Sequence, residues 1–362
     1  QVFAPDSRRF VLHRSAHAHG SDPKDPGHRY LLCDLDEDGA LSPLTDELGA
    51  TAPSISPDGQ WLYYFVNETE PGGGRLTLKR VGLDGTGRET IVVIEDRIPG
   101  SDLFLSRIYP LSTISSDGAR IILSGFLGDG ATENAPWGYI LIQIETARVR
   151  PVELGSDWIN LHPQYSRMPD GEAARDVLIQ HNHGAETDAA GKPQKSWTGD
   201  GADIHVICED GSNLRDMPWG RDGKEFCQGH QCWIGRTERA VTSTGNREWN
   251  REELIEGRAA PHAGHIGIRT PGGVRADLSR EIDEPQFYHF ATDIAGRRFI
   301  TDSGPRDGGG GLWTADVPER EGDPLRNWTF LLNPLCSWDK SVHIHPFLSP
   351  DGRTGFFNSD ES

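Results

Sequence analysis

The sequence has few of the features that mark helical or membrane-spanning proteins. Only 2 of its 362 residues are methionine, and few windows show the i, i+3, i+4 spacing of apolar residues that an amphipathic helix needs. No apolar run reaches the ~18 residues of a transmembrane helix, and no signal peptide is recognisable. Glycine (43) and proline (24) are abundant and separate short apolar runs such as 61–66 and 120–124. Because such runs are typical of strands between turns, the chain is predicted to be all-β.

Cysteine is also scarce. The 5 cysteines form no paired framework, and a chain of this length buries a core without disulfides. We therefore expect buried free thiols, with a local bridge between Cys227 and Cys232 as the alternative. Because the chain starts at Gln1, we expect that residues ahead of it are missing. The compartment, cytoplasmic or periplasmic in a bacterial-type protein, stays open.

Basic residues are outnumbered by acidic ones. There are 36 lysines and arginines against 55 aspartates and glutamates, which gives a formal net charge of −19. Such a surface repels nucleic acid and anionic membranes, so neither is expected as a partner. An acidic oligosaccharide substrate is still compatible, because a few cations in a cleft outweigh the distant field at physiological salt. The sequence leaves the oligomeric state open.

Familiar motifs of nucleophilic and nucleotide chemistry are missing too. There is no G-x-S-x-G, no P-loop, and no G-x-G-x-x-G followed by a helix. The segment Asp34–Gly39 resembles a calcium loop, but it lacks the terminal glutamate and is interpreted as a turn. Chemistry has to be sought among the histidines instead.

What the sequence does contain is a degenerate turn signal of the form S-P-D-G. About seven copies follow one another roughly 50 to 70 residues apart, a spacing typical of propeller blades. The copies start at Phe3, Ile55, Ile114, Tyr165, Trp233, Ala291 and Leu348. The runs after most copies predict a four-stranded antiparallel sheet, and radial packing of such sheets buries both faces. We predict a single domain over residues 1–362, a seven-bladed β-propeller whose last blade is incomplete or closed by amino-terminal strands.

Histidines are concentrated near these turn signals. His343 and His345 form an H-x-H pair whose side chains share one face if the segment is a strand. His289 has a similar first-strand position one blade earlier, and equivalent positions in successive blades converge on a propeller's channel. Three imidazoles would favour a borderline metal such as Mn, Fe, Ni or Zn over Ca or Mg. Alternatively, each histidine satisfies a buried hydrogen bond in its strand.

Other histidines are candidates for further roles. His230 is a possible general base, because imidazole titrates near neutral pH; packing beside Trp233 is the alternative. A second group of four polar residues lies upstream: His162, Gln164, His181 and His183. These four bind substrate or a second metal, or they are a polar lining of the channel.

From about Trp158 to the end, the sequence resembles the oligogalacturonate lyases. The matching segments are His162–Tyr165, His181–Gly184, Glu209–Asn213, Gly229–Trp233, His289–Gly296, Asp302–Gly304, Ser337–Trp338, His343–Pro346 and Ser359–Asp360. Upstream of Trp158 only the propeller repeat is shared. The resemblance therefore bears on the fold of the whole chain and on the site residues of its carboxy-terminal half.

The family has a defined activity. Its members are seven-bladed propellers that cleave pectic fragments by β-elimination, with manganese bound by histidines and a glutamine. The resemblance implies a divalent metal, manganese first, held by His289, His343 and His345, with His230 as the base. The candidate substrate-binding residues are His162, Gln164, His181, His183 and Trp233.

One position departs from the family pattern. The family glutamine lies three residues before the H-x-H pair, where this chain has Lys340. A protonated lysine cannot ligate a metal and repels a nearby cation. Either three imidazoles and water hold the metal, or Lys340 has a catalytic role and pairs with a substrate carboxylate. A family arginine is also missing from the segment with Asp203 and His205, so the preferred uronate can differ from galacturonate.

The resemblance implies a carbon–oxygen lyase acting on uronate oligosaccharides. A uronate C5 proton is weakly acidic, so elimination needs a neutralised carboxylate, a positioned base and help for the departing O4. Two other classes are alternatives: a non-catalytic TolB-like propeller that binds proteins, and a metal-dependent hydrolase or epimerase on another sugar acid. Aligned histidines favour the lyase, since a binding scaffold does not need them.

Overall fold

A computed structural model of the chain describes residues 2–14, 24–196, 201–217, 225–246, 264–269, 276–279, 282, 287–303, 310–336 and 343–359. Over these ranges the regular structure is β-strand, apart from two short 3-10 helices, Leu35–Glu37 and Glu172–Arg175. The all-β prediction is confirmed. No helix in the described ranges has the length and apolarity needed to cross a membrane.

Four antiparallel sheets have four strands each, paired in sequence order. The first sheet contains β1 (Val2–Phe3), β2 (Arg9–Arg14), β3 (Arg29–Asp34) and β4 (Ala40–Pro43). The second contains β5 (Ala50–Ile55), β6 (Trp61–Glu70), β7 (Gly73–Gly82) and β8 (Glu89–Glu95). The third contains β9 (Arg107–Ile114), β10 (Arg120–Phe126), β11 (Trp137–Gln143) and β12 (Arg148–Gly155). The fourth contains β23 (Phe287–Thr292), β24 (Arg298–Ser303), β25 (Gly311–Asp316) and β26 (Arg326–Leu332).

A fifth, larger sheet has eight strands. Its strands are β13 (Gln164–Tyr165), β14 (Asp176–Asn182), β17 (Ala202–Cys208), β18 (Arg215–Asp216), β19 (Glu225–Trp233), β20 (Arg239–Asn246), β21 (Gly264–Arg269) and β22 (Ala276–Asp277). Two hairpins form separate two-stranded sheets. They are β15 (Glu186–Thr187) with β16 (Pro193–Lys195), and β27 (Phe347–Leu348) with β28 (Gly355–Phe356).

The prediction of seven blades is wrong: the described residues form five blades, four of four strands and one of eight. Two turn signals, those near Tyr165 and Trp233, fall within the eight-stranded sheet, where Ala202 on β17 pairs with Cys227 on β19. The last signal, at Leu348–Gly352, connects only the hairpin β27–β28. Counting turn signals overestimates the blade number, because a turn is local whereas blade membership depends on long-range strand pairing.

The turn signal has a clear structural basis in the third sheet. Ser115 is fully buried just after β9; its hydroxyl donates to Asp117 at 2.6 Å and accepts the backbone N–H of Arg120 at 3.0 Å. Gly118 follows with φ +72, a conformation that glycine adopts without steric cost. Serine, aspartate and glycine at this spacing therefore close the turn between the first two strands of the blade.

Strands in the middle of a blade are buried on both faces. In β10 the residues Ile121, Ile122 and Leu123 have no solvent exposure, and they contribute to two core clusters on opposite sides of the strand. A run of consecutive apolar residues in place of strict alternation is what burial on both faces requires. This explains why the run at 120–124 was recognisable as a strand.

The chain divides into two compact units. The first consists of Gln1–Tyr165, Pro169–Thr198 and Ile207–Asn213, and the second of Ser166–Met168, Gly199–Val206 and Leu214–Ser362. A single domain over residues 1–362 stays a prediction. The candidate site residues are therefore described unit by unit below. All five cysteines are free thiols, and no bridge joins Cys227 to Cys232. Four are buried as expected, whereas Cys208 is half-buried.

Candidate metal centre and base

Three histidines of the second unit come together as a possible metal centre. The ligating atoms of His289, His343 and His345 all lie within 4.8 Å of one another. His289 is on β23, whereas His343 and His345 lie in irregular backbone ahead of β27, not in a strand. The ring centroids of His289 and His345 are 3.5 Å apart, and His343 is 5.5 Å from each. The convergence does not depend on strand alternation at the H-x-H pair.

A buried carboxylate orients this group. Asp302 on β24 has no exposure; its Oδ2 lies 2.7 Å from Nδ1 of His289 and accepts the backbone N–H of His345 at 3.1 Å. A carboxylate at Nδ1 favours a proton there and leaves Nε2 as the nitrogen available to a metal. Burial raises the pKa of Asp302 to about 7, against the opposing effect of the backbone N–H groups of His289 and His345.

His289 reaches Asp302 because β23 has a bulge. The register between β23 and β24 shifts between Phe287 and Phe290, so that two residues lie opposite Asp302 alone. The backbone N–H of His289 donates to Oδ1 of Asp302 at 2.7 Å, and its carbonyl accepts from the hydroxyl of Thr301 at 2.9 Å. Both backbone groups that the bulge removes from the ladder are thus satisfied by side chains of β24.

His230 sits at a second, wider bulge, where the three residues before Gln231 lie opposite Ser243 alone. The register between β19 and β20 shifts between Cys227 and Gln231, and the hydroxyl of Thr242 donates to the carbonyl of His230 at 2.6 Å. The ring centroid of His230 lies 4.5 Å from that of His289. The candidate base therefore adjoins the candidate metal centre.

Sequence reasoning missed the residues that support both bulges. Thr242 and Thr301 each lie 12 residues after the histidine whose carbonyl they bind, so the spacing His-x₁₁-Thr occurs at both strands. That spacing was a visible signal, although a single sequence gives no reason to expect a bulge at either place. Asp302 was noticed only as part of a resembling segment.

The predicted substrate-binding residues are divided between the two units. Trp233 is 1% exposed, and its carbonyl accepts from the hydroxyl of Thr292 at 2.9 Å, so its assignment to substrate rests on the resemblance alone. Lys340 lies outside the described residues. In the first unit, Nε2 of His162 lies 2.9 Å from the hydroxyl of Tyr109, and Gln164 pairs with Leu178 on the neighbouring strand.

His181 and His183, also in the first unit, come close to a carboxylate that the sequence did not suggest. The ligating atoms of Asp157, His181 and His183 lie within 4.8 Å of one another. Nε2 of His181 is 2.9 Å from Oδ1 of Asp157. The structure thus forms two potential metal-binding groups, one within each unit, in the part of the chain it describes.

The three-histidine group fits a borderline divalent cation. Its donors are imidazole nitrogens, which suit Mn, Fe, Ni or Zn better than Ca or Mg. The carboxylate behind His289 is the kind of outer partner that fixes a ligating imidazole. The residues present are therefore chemically suited to the metal that the resemblance implies.

The fold defines the chain as an all-β protein built from propeller-type blades, and comparison with known proteins refines this. No protein-family model and no curated protein sequence matches the chain. Among solved structures, it is similar to an oligogalacturonate lyase in complex with manganese, at 16% identity and TM-score 0.71, covering 99% of this chain and 85% of that one. An oligogalacturonate lyase from Vibrio parahaemolyticus is also similar, at 16% identity and TM-score 0.68 over the same shares of the two chains.

A likeness of another kind extends to peptidases. A prolyl endopeptidase structure matches at 12% identity and TM-score 0.52, over 88% of this chain but only 41% of that one. At such identities each likeness shows a shared fold and nothing finer. The resemblance to oligogalacturonate lyases is thus supported at the level of fold.

Proposed function

We propose that the chain is a carbon–oxygen lyase that cleaves uronate-containing oligosaccharides by β-elimination. The observation that carries the proposal is the position of His230, whose ring centroid lies 4.5 Å from that of His289 in the three-histidine group. A base next to a cation site is what elimination beside a carboxylate needs. The manganese complex of the similar lyase structure adds support for a divalent metal, with manganese the first choice.

Each side chain has a distinct part in this proposal. When bound by His289, His343 and His345, a divalent cation would act as a Lewis acid and neutralise the charge of the substrate carboxylate. Asp302 holds His289 through its Nδ1 and its backbone N–H, which keeps the ring fixed while substrate binds. Lys340 is a second possible partner of the carboxylate.

His230 accepts the proton from C5 of the uronate. The C5–H electrons form the C4–C5 double bond, the bond from C4 to O4 breaks, and O4 takes a proton from water or from His230. An imidazole is suited to this exchange, since its ordinary pKa of about 6.5 lets it accept and release a proton near neutral pH. The product is an unsaturated uronate.

A direct assay distinguishes this proposal from its competitors. The purified chain is incubated with a panel of uronate oligosaccharides, with added manganese or with chelator, and absorbance of the unsaturated product is followed. A metal-dependent rise supports the lyase, and a rise indifferent to chelator assigns the cation's part to Lys340. New reducing ends without absorbance would indicate a hydrolase. No product from any substrate would overturn the proposal in favour of a non-catalytic binding protein.

A further inference from the structure

Three residues of the first unit form a compact group that the proposed elimination does not use. Asp157 lies just after β12, His181 is within β14, and His183 follows the end of β14. All three ligating atoms lie within 4.8 Å of one another. The group combines two imidazoles with one carboxylate, and it shares no residue with the three-histidine centre.

The end of β14 brings the two imidazoles together. His181 lies within the strand, and His183 is the first residue of the turn that follows it. Gln180 and Asn182 are both buried, and the amide of Gln180 donates to Oδ1 of Asn182 at 3.0 Å. The ring centroids of His181 and His183 are only 4.1 Å apart.

Neighbouring groups hold the donors in place. The backbone N–H of Gly184 donates to Oδ2 of Asp157 at 3.2 Å, which leaves Oδ1 directed at His181, 2.9 Å away. Trp158 stacks on the ring of His181 with centroids 4.1 Å apart and an interplanar angle of 4°. The backbone N–H of Asn182 also donates to the carbonyl of Asp157 at 3.3 Å. These contacts join the loop after β12 to the end of β14, so the three donors are held in a fixed geometry, as a metal site requires.

A simple ion pair does not account for the whole arrangement. Asp157 and His181 resemble the pair of His205 and Asp216, whose Nδ1 and Oδ1 atoms lie 2.8 Å apart. That pair, however, is not part of a group of three histidine, cysteine or carboxylate ligand atoms in the described part of the chain. At Asp157 a second imidazole is brought to the same point, which a histidine–aspartate pair does not need but a cation does.

We propose that Asp157, His181 and His183 bind a second divalent cation of the borderline class, such as zinc, cobalt or manganese. Mixed nitrogen and carboxylate donors favour these ions over calcium and magnesium, which prefer oxygen ligands alone. Three protein ligands leave coordination positions for water or for an anionic group of a ligand. The inference stands independently of the lyase proposal.

Metal content of defined variants tests the site. The chain is stripped with chelator, dialysed against cobalt(II), and the bound metal per polypeptide is measured by mass spectrometry. Asp157→Asn keeps the acceptor for Gly184 but weakens a metal ligand, and His183→Gln removes an imidazole. We expect each variant to bind one equivalent less than the wild type, while His205→Gln, the matched control, loses none.

Variants made in the His343→Ala protein distinguish metal bound at the two centres. In His343→Ala the three-histidine centre is disabled, and the visible absorption of cobalt bound at the remaining site should persist. Adding Asp157→Asn to that background should abolish this absorption. Full metal retention in both Asp157→Asn and His183→Gln would overturn the proposal, and circular dichroism of each variant establishes that it is folded.

Discussion

Asp302 binds His289 twice, through the ring nitrogen Nδ1 at 2.7 Å and through the backbone N–H at 2.7 Å. The two contacts use different oxygens of one fully buried carboxylate. The position of the imidazole is therefore set by β24 as much as by its own strand. A substitution at Asp302 should therefore change metal binding at the three-histidine group, although Asp302 is not one of its three histidines.

Asp302→Asn is expected to weaken metal binding at the three-histidine centre by about 10- to 100-fold, the usual cost of altering a partner behind a ligating histidine. The amide loses the negative charge that favours a proton on Nδ1. Manganese affinity is measured by calorimetric titration. Asp316→Asn, at an exposed pair with Arg298 on the same sheet, is the control and should bind as the wild type does. Equal affinities of all three proteins would contradict the assigned role of Asp302.

His230→Ala is expected to lower the elimination rate by about 100- to 10,000-fold, the range that a positioned acid–base group contributes. Metal content should be unchanged, since His230 is not among the three predicted ligands. The rate is followed by absorbance of the unsaturated product. His13→Ala, on β2 and outside both metal-binding groups, should be fully active. An unchanged rate in His230→Ala would remove the assignment of the base.

Glu47 should make stability depend on acidity. Burial alone would raise its pKa, but hydrogen bonds from Lys79 at 2.7 Å and Tyr64 at 2.9 Å outweigh burial and lower the pKa to about 2. Because the pKa in the folded protein lies below the ordinary glutamate pKa of 4.5, the contribution to stability is present above pH 4.5 and is lost as the pH falls towards 2.

Glu47→Gln is therefore expected to reduce the free energy of unfolding by roughly 2 to 3 kcal/mol at pH 7, because the side chain is only 19% exposed. The difference from the wild type should shrink towards pH 2. Urea unfolding at a series of pH values measures it. Glu89→Gln, at a more exposed pair with Arg80, should change stability by less than about 1 kcal/mol. A pH-independent difference would show that the ion pair is not its cause.

Two glycines should respond differently to alanine. A Cβ at Gly138 on β11 would lie 2.0 Å from the carbonyl oxygen of Val152, so Gly138→Ala should cost about 3 kcal/mol or more through overpacking. At Gly100 a Cβ meets nothing within 4 Å, but φ is +77, so the cost should be about 1 kcal/mol of backbone strain. Urea unfolding of both variants measures the difference. Equal losses would mean that the sheet adjusts around position 138.

The sequence predicted local structure better than assembly. The runs at 61–66 and 120–124 are strands, as expected, because apolar content and flanking turns are properties of neighbouring residues. The blade number was wrong because the pairing of Ala202 with Cys227 joins strands that no local pattern connects. Turn signals record where the chain reverses, not which strands share a sheet.

For the candidate site too, local chemistry was predictable from the sequence and long-range contacts were not. The chemical type of His289, His343 and His345 suggested a shared metal, and the structure brings their nitrogens together. Their role as ligands stays a prediction. Asp157 and Asp302 were not predicted as partners, because Asp302 meets His289 at a bulge and Asp157 meets His181 from the loop after β12. Neither contact leaves a trace in residue spacing.

The bulge on β23 has a consequence for how such a centre is transferred between proteins. His289 obtains its place from a backbone irregularity whose N–H and carbonyl are satisfied by Asp302 and Thr301. Placing His289 alone on a regular blade would leave its backbone groups in the ladder and its ring without a fixed direction. A transferable version of this centre therefore consists of the bulged strand β23 together with Asp302 and Thr301 of β24. A design that copied only the histidines would lack the groups that position His289.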